Sequence, residues 1–379
     1  MSSPLFQPFT LRSVTLRNRV VISPMCQYSA ENGHPTDWHL VHLGRFAQGG
    51  AGLVIAEATA VSPDGRITHG DTGLWQDSQV APFARIAQFL ADNGAVPGIQ
   101  LAHAGRKASS QRPWEGSAAI SPGASEPPWA VVAPSAVPLG EGWPVPHALD
   151  DNAIAQLKQD WRSATRRAAD AGFRLLEIHA AHGYLLHEFL SPVSNRRTDR
   201  YGGDAAGRLR LPLEIVEIVR ETWPADLPLS VRVSAVDGAE GGLGIADTVR
   251  FAQALKQRGV DIIDCSSGGI SGAVTAARVK RELGFQVEFA ETVRREAGIP
   301  TMAVGLILEP DHAERIVASG QADLVALARE ALFNPNWAAQ AYLALDPAGG
   351  FDLFPVQAGW YLERREINLQ ELGVNSLRR

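Results

Sequence analysis

Two imidazoles and a phenol lie within six residues of one another in this chain, in the order His179-x-x-His182-Gly-Tyr184. They follow a short apolar run, "FRLLEI", that begins directly after Gly172. A run of that length, set off by a helix-ending glycine, predicts a buried strand. The polar cluster then leaves the carboxyl end of that strand, where parallel α/β proteins place their chemistry. Two imidazoles can grip a substrate oxygen and stabilise negative charge developing on it. A phenol beside them can deliver a proton. Histidines three apart can also share a metal ion. A metal-dependent barrel hydrolase or lyase is therefore the alternative, although the motif supplies no third, acidic ligand.

The same strand-then-glycine unit recurs along the chain. Candidate strands are Asn18–Met25, Gly52–Glu57, Val96–Ala102, Phe173–His179, Leu227–Ala235, Asp261–Ser267, Pro300–Leu306 and Asp323–Arg329. Between them run helical patterns. Ser78–Asn93 puts Val80, Phe83, Ile86 and Leu90 on one face, and Asp151–Ala171 does so with Ile154, Leu157, Trp161 and Ala164. Eight such units predict a closed (β/α)8 barrel, a TIM barrel. A doubly wound dinucleotide fold needs a glycine-rich first turn, and "SPMCQYS" is not one. The expectation is a single domain over 1–379. Phe9–Val20 reads as a hairpin closing the amino-terminal mouth. A Pro-, Gly- and Trp-rich insertion at about 108–147, after the third strand, reads as an active-site lid. A tail covers about 346–379 and carries Trp360 and Tyr361.

The strand ends carry Cys26 with Tyr28, Ala58, Gln100, the histidine cluster, Arg232, then Ser266, Ser267 and Gly268, then Gly305 and Arg329. Loops after the seventh and eighth strands of such barrels often bind phosphate. Backbone N–H groups at Gly305 and the Arg329 guanidinium suit a phosphate dianion. Gln100 offers the donor and acceptor that a heterocyclic amide edge requires. Arg232 can stabilise negative charge on such a ring. A planar, reducible, phosphorylated heterocycle is implied, and flavin mononucleotide (FMN) fits.

Composition narrows the classes. Lys and Arg total 35 against 41 Asp and Glu, a net charge of −6, which gives no footprint for nucleic acid or an anionic membrane surface. No secretory signal pattern and no long apolar span are visible. Cys26 and Cys265 lie far apart, which suggests a cytoplasmic setting and is too few for an iron–sulfur cluster.

Several segments carry a specific resemblance: "RNRVVISPMCQYSA" (17–30), "AEATAVSPDGRI" (56–67), "IQLAHAGRK" (99–107), "EIHAAHGYLLHEFLSPVSNRRTDRYGG" (177–203), "VRVSA" (231–235), "AVGLI" (303–307) and "LVALARE" (324–330). Together they resemble the old yellow enzyme family of FMN-dependent ene-reductases, in its thermophilic-like (xenobiotic reductase A-like) branch. Cys26 marks the branch, since other branches carry threonine there. The chain departs from the pattern at Asp204–Leu211 ("DAAGRLRL"), where the family usually has an asparagine–arginine pair.

The resemblance implies non-covalent FMN, held by Ser23, Pro24, Met25, Cys26, Ala58, Gln100, Arg232, Ser267, Gly305, Ala328 and Arg329. NADPH or NADH serves as reductant, and the substrates are activated alkenes. His179 and His182 hold the substrate's carbonyl or nitro oxygen, Tyr184 protonates the α-carbon, and Tyr28 adds a hydrogen bond. Cys26 tunes the flavin's potential. Trp360 or Tyr361 is a candidate substrate contact supplied by a neighbouring subunit of a homodimer or homotetramer.

Other reactive residue types have plainer readings. His39, His42 and His69 read as structural, and Cys265 as inert packing. His103 and Lys107 read as anchors of the lid. Arg196, Arg197 and Arg200 read as a solvated or ion-paired loop.

Overall fold

A computed structural model describes residues 3–271 and 279–374. The strands are β1 (Phe9–Leu11), β2 (Val14–Leu16), β3 (Val20–Ile22), β4 (Leu53–Ala60), β5 (Val96–Ala102), β6 (Val132–Ala133), β7 (His147–Ala148), β8 (Leu175–Ala180), β9 (Leu229–Ser234), β10 (Ile262–Ser266), β11 (Thr301–Val304) and β12 (Leu324–Leu327). The helices are α1 (Asp37–Gln48), α2 (Val80–Asp92), α3 (Asp151–Asp170), α4 (Leu185–Leu190), α5 (Ala205–Thr222), α6 (Ile245–Gln257), α7 (Val287–Ala297), α8 (Pro310–Ala318), α9 (Arg329–Phe333), α10 (Trp337–Leu345) and α11 (Val356–Glu371).

β3, β4, β5, β8, β9, β10, β11 and β12 pair in parallel, in that order, and β12 closes onto β3 through Val325–Val20, Ala326–Val21 and Leu327–Ile22. This is the expected (β/α)8 barrel. Period-2 alternation sorts its side chains. Val21, Leu53, Leu175, Ile262, Met302 and Leu324 point inward, while Ile22, Val54, Ile178, Val231, Ile263 and Val325 pack against the helices. Leu11 and Leu16 of the β1–β2 hairpin join the inward cluster, so the hairpin plugs the amino-terminal mouth as expected.

Strand ends shift by a few residues from expectation. β3 is shorter than Asn18–Met25, because Asn18 spends its side chain capping the Val20 N–H and Pro24 has none to give. β4 runs on to Ala60 through a register shift between Ala56 and Ala58, which sets Glu57 apart from the ladder. The departure at Asp204 is a helix cap, its carboxylate accepting from the Gly207 N–H at 2.8 Å.

The insertion at 108–147 is ordered. The Arg106 guanidinium donates to the carbonyls of Val137 and Ile270 at 3.1 and 2.6 Å, and Arg112 pairs with Glu126 at 2.6 Å. The tail contains α11, whose length was not read from the sequence. A cavity of about 1140 Å³ lies between α11 and the barrel, with Arg17, Phe89, Gly94 and Tyr361 on its walls. Arg17 and Gly94 precede β3 and β5, so Tyr361 sits at the amino-terminal end of the barrel.

Candidate functional site

A cavity of about 560 Å³ opens at the carboxyl ends of the barrel strands. That volume suits a cofactor-sized ligand. Its walls gather Pro24, Cys26, Ala58, Gln100, His179, His182, Tyr184, Arg232, Ser267, Gly305, Ala328 and Arg329, each of which was expected there.

The histidine cluster leaves β8 on a tight turn with positive φ. His179 is the penultimate residue of β8, inward-facing and nearly buried. His182 and Gly183 follow with φ of 60° and 73°. A Cβ at Gly183 would meet the carbonyl oxygen of Gly269 at 2.1 Å, so the turn requires glycine. Lys107 ties both sides together, its Nζ donating to the His182 carbonyl at 2.7 Å and the Gly269 carbonyl at 2.5 Å. Lys107 therefore anchors the histidine turn rather than the insertion. A further brace comes from α4, where His187 Nδ1 accepts the Gly183 N–H at 2.8 Å and its Nε2 meets Asp237 Oδ1 at 2.7 Å. Ser191 donates to the other oxygen of Asp237 at 2.6 Å.

The rings of His179 and His182 stand edge to face, 5.2 Å apart, and Tyr184 lies 4.8 Å from His179 in the same manner. Ala181 N–H donates to His179 Nδ1 at 3.2 Å. A neutral His179 must then carry its proton on Nε2, as a donor. Burial, with the Arg232 charge second, holds both imidazoles well below their ordinary pKa. Burial, then the nearby Cys26 and Asp71, pushes the Tyr184 phenol well above its own. All three groups are neutral hydrogen-bond donors over a wide pH range. The alternative of a metal site has little support: His179 Nδ1 is already engaged, and among the described residues no three His, Cys, Asp or Glu side chains converge.

The floor is polar. Arg232 donates from Nε and Nη2 to Ser266 Oγ at 3.1 and 3.0 Å, and its Nε lies 3.2 Å from Asp264. Gln100 gives one N–H to Glu177 at 2.8 Å and keeps its oxygen and second N–H for the cavity. Ser23 shares the inward face of Val21. Its Oγ is buried without a hydrogen-bond partner among the described residues, next to the wall residue Pro24, and Ser23 itself does not line the cavity where it was expected.

One wall comes from the last two strands. Gly305 has φ of 120°, and a Cβ there would meet Phe285 and Gln286 at 2.9 Å. Arg329, exposed at the rim, opens α9, whose first N–H groups have no side-chain cap. Uncapped N–H groups beside a guanidinium suit a phosphate.

Cys26 is pushed well above the usual thiol range, chiefly by burial and then by the Asp71 and Glu57 charges, with Ala58 and Tyr28 pulling the other way. It is a thiol, not a thiolate nucleophile. Tyr28 has φ of 53° and packs edge-on against Trp114 at 5.7 Å, just outside the cavity wall. The insertion also meets the site through Val131 and Trp129, which share a small apolar cluster with Tyr184. None of residues 108–147 lines the cavity itself, in contrast to the expected lid. Met25 packs on the core behind the wall. Trp360 is not brought to the site: it is half-exposed on α11 beside Tyr361 and outside this chain's own cavity.

Sequence reasoning missed Ser266 as a contact, and Arg281, Phe285, Gln286, Leu306 and Glu330 altogether. Gln286 accepts from Ser267 Oγ at 2.7 Å and donates to the Val304 carbonyl at 2.9 Å. It precedes a helix rather than ending a strand, so no strand-end pattern points to it. The plain readings hold elsewhere. His69 bonds the Pro127 carbonyl at 2.8 Å, His39 caps α1 through Thr36, and Cys265 is buried in the outer core. His103, expected to anchor the insertion, instead accepts the Gly105 N–H at 3.1 Å within its own turn. Arg197 and Arg200 are paired with Asp199 and Asp151.

Similarity to known proteins agrees with this geometry. The profile described as the NADH:flavin oxidoreductase / NADH oxidase family matches residues 4–345. An NADPH dehydrogenase of Geobacillus sp. (strain WCH70) is 47% identical over 339 residues, covering 89% of this chain and 93% of the relative. Another, from Geobacillus thermodenitrificans, is 44% identical over 364 residues, covering 95% and 99%. Among solved structures, morphinone reductase in complex with tetrahydroNAD superposes with a TM-score of 0.72 at 27% identity, covering 90% of this chain and 91% of that one. The old yellow enzyme homologue from Zymomonas mobilis does so with 0.72 at 27%, covering 87% and 90%. With its barrel matched from end to end and its strand-end cluster in place, the chain belongs to the NADH:flavin oxidoreductase / NADH oxidase family.

Proposed function

We propose that this protein is an FMN-dependent ene-reductase that takes reducing equivalents from NAD(P)H and passes them to activated alkenes. One observation carries the reading: neutral His179, His182 and Tyr184 converge on a cavity whose floor and far wall supply Gln100, Arg232 and Arg329. The site fits FMN. Arg329 and the neighbouring Gly305 suit the phosphate, Gln100 suits a polar edge of the ring, with the unpaired Ser23 hydroxyl behind the wall at Pro24, and Arg232 suits its negative end. When bound, FMN supplies the hydride chemistry, accepting from NAD(P)H and donating to the alkene β-carbon.

The chain's own groups do the rest. His179 and His182 donate to the substrate's carbonyl or nitro oxygen, drawing electron density from the alkene as the enolate forms. Tyr184 holds the proton for the α-carbon. Tyr28, just outside the wall, adds a hydrogen bond to the substrate, and the Cys26 thiol, on the wall itself, tunes the cofactor's potential. Pro24, Ala58, Ser267 and Ala328 wall the ring, with Met25 behind them. A substrate contact from Trp360 requires a second copy of the chain, consistent with a homo-oligomer. Among the described residues no helix is long and apolar enough to cross a membrane. A cytoplasmic setting accords with the two unpaired cysteines.

The direct test is anaerobic. NADPH should bleach the yellow protein and cyclohexenone should restore the colour. A bleached protein that cyclohexenone leaves unchanged would support a flavin-binding protein without alkene turnover. Two variants probe the cofactor contacts. Arg329→Ala loses charge-assisted hydrogen bonds to phosphate and should weaken FMN by roughly 10- to 100-fold, read by fluorescence of FMN released on gel filtration; unchanged retention contradicts the clamp. Cys26→Thr should shift the flavin midpoint potential while alkene reduction persists. A flavin-loaded but inactive variant would point to covalent chemistry at Cys26 instead.

A further inference from the structure

Beneath the cavity floor, the barrel interior holds a layer of charge that the substrate chemistry above does not use. Glu177 on β8 and Asp264 on β10 are 0% and 1% exposed. Between them, β9 carries one cation, Arg232. Its Nε lies 3.2 Å from Asp264 Oδ2. Glu177 accepts from Gln100 Nε2 on β5 at 2.8 Å and from Ser230 Oγ on β9 at 2.9 Å. Asp264 Oδ1 is buried with no partner among the described residues. Other titratable groups near the layer are His179, two residues along β8, His182, which feels the Arg232 charge, and Cys265, which follows Asp264 on the outer face of β10. Below the layer lie apolar side chains, Leu175, Ile262 and Met302 among them, and farther down, at the hairpin plug, Arg19 lies over the Phe9 ring.

Two carboxylates and one guanidinium in a closed, low-dielectric barrel leave one negative charge in excess. Like charges that share such a site do not both ionise readily, and their titration belongs to the pair. Burial and the Asp264 charge, against the pull of Arg232, hold the Glu177 carboxyl up to about 8. Burial raises Asp264 as well. Arg232 and Gln100 reach from this layer into the cavity, so charge arriving above is felt below.

We propose that the Glu177–Asp264 pair is a redox-linked proton site, which binds one proton from solvent when hydride transfer leaves negative charge on the cavity floor. The inference rests on the FMN reading. Hydride brings two electrons and one proton to a neutral ring and leaves it one negative charge richer. Under that charge the second ionisation of the pair becomes costlier, so its proton affinity rises. The compensating proton comes from water and returns there when hydride passes to the alkene. The pair touches neither cofactor nor substrate. It balances charge through Arg232 and Gln100.

The test is the midpoint potential of the FMN-loaded protein, measured by dye equilibration from pH 6.5 to 10. The slope of potential against pH gives the protons bound per electron pair. In the wild type the count should be near one at pH 7 and rise toward two above about pH 8. Glu177→Gln keeps the hydrogen-bonding shape and removes the charge. In that variant the count should stay at one across the alkaline range. Its potential should match the wild type near pH 7 and lie above it near pH 9. A wild-type count of one throughout overturns the proposal without any variant. So does an alkaline inflection that survives in Glu177→Gln, which would belong to the cofactor. If Glu177→Gln does not fold, Asp264→Asn should abolish the same rise, and a retained rise overturns the proposal. A protein that binds no FMN refutes the function reading; an FMN-loaded protein with a flat count refutes only this inference.

Discussion

Alkene reduction falls by about a hundredfold or more in the double variant His179→Ala/His182→Ala, in line with the loss of donors aimed at a developing oxyanion. The expectation follows from three features. Ala181 N–H occupies His179 Nδ1, so the ring presents Nε2–H to the cavity. Lys107 and His187 fix the turn on which His182 rides. Burial keeps both rings neutral. Steady-state rates with cyclohexenone, at saturating reductant, measure the effect. Unchanged turnover would end the assignment of these rings as oxyanion donors. The same low pKa values give the pH dependence a sign. Below the ordinary imidazole value of about 6.5 the unfolded chain binds protons that the folded sites refuse. Stability is therefore present above that range and falls as the pH drops through it. His42, held down to about 3 by burial, adds to the same trend.

Tyr184→Phe should slow reoxidation of the reduced protein by an alkene by roughly 10²- to 10⁴-fold, the usual contribution of a positioned proton donor. Reduction by NADPH needs no proton from the phenol and should stay near the wild-type rate. Stopped-flow absorbance separates the two half-reactions. Titration of the phenol itself should leave no break in the wild-type alkene step near the ordinary tyrosine value of about 10, since burial and the Cys26 and Asp71 neighbours raise the Tyr184 pKa. Equal reoxidation rates in variant and wild type would remove Tyr184 from the proton path.

The barrel was legible because its strands are short apolar runs separated by helix caps, and period-2 alternation then sorts Val21 and Leu53 inward and Ile22 and Val54 outward. The histidine cluster was legible because His179, His182 and Tyr184 follow directly on a short apolar run that ends in β8, whereas the left-handed backbone at His182 was not. What else escaped comes from elements without such runs. Gln286 and Phe285 reach the cavity from a segment before α7, and Glu330 from the first turn of α9. Lys107 pairs with backbone carbonyls of two distant loops, a contact that no spacing encodes. The Trp-rich insertion read as a lid, yet it packs on Tyr28 through Trp114 and leaves the cavity wall to other segments. Glu177 and Asp264 read as ordinary strand residues, because their meaning depends on which face of the barrel they share.

The account turns on whether the cavity between Gln100, Arg232 and Arg329 takes FMN. Titrating cofactor-free protein with FMN, followed by quenching of flavin fluorescence, measures this directly. Saturation at one FMN per chain, with the visible absorption of bound flavin, is the expected result. Unquenched fluorescence at saturating FMN, from a protein that remains folded by circular dichroism, would contradict it.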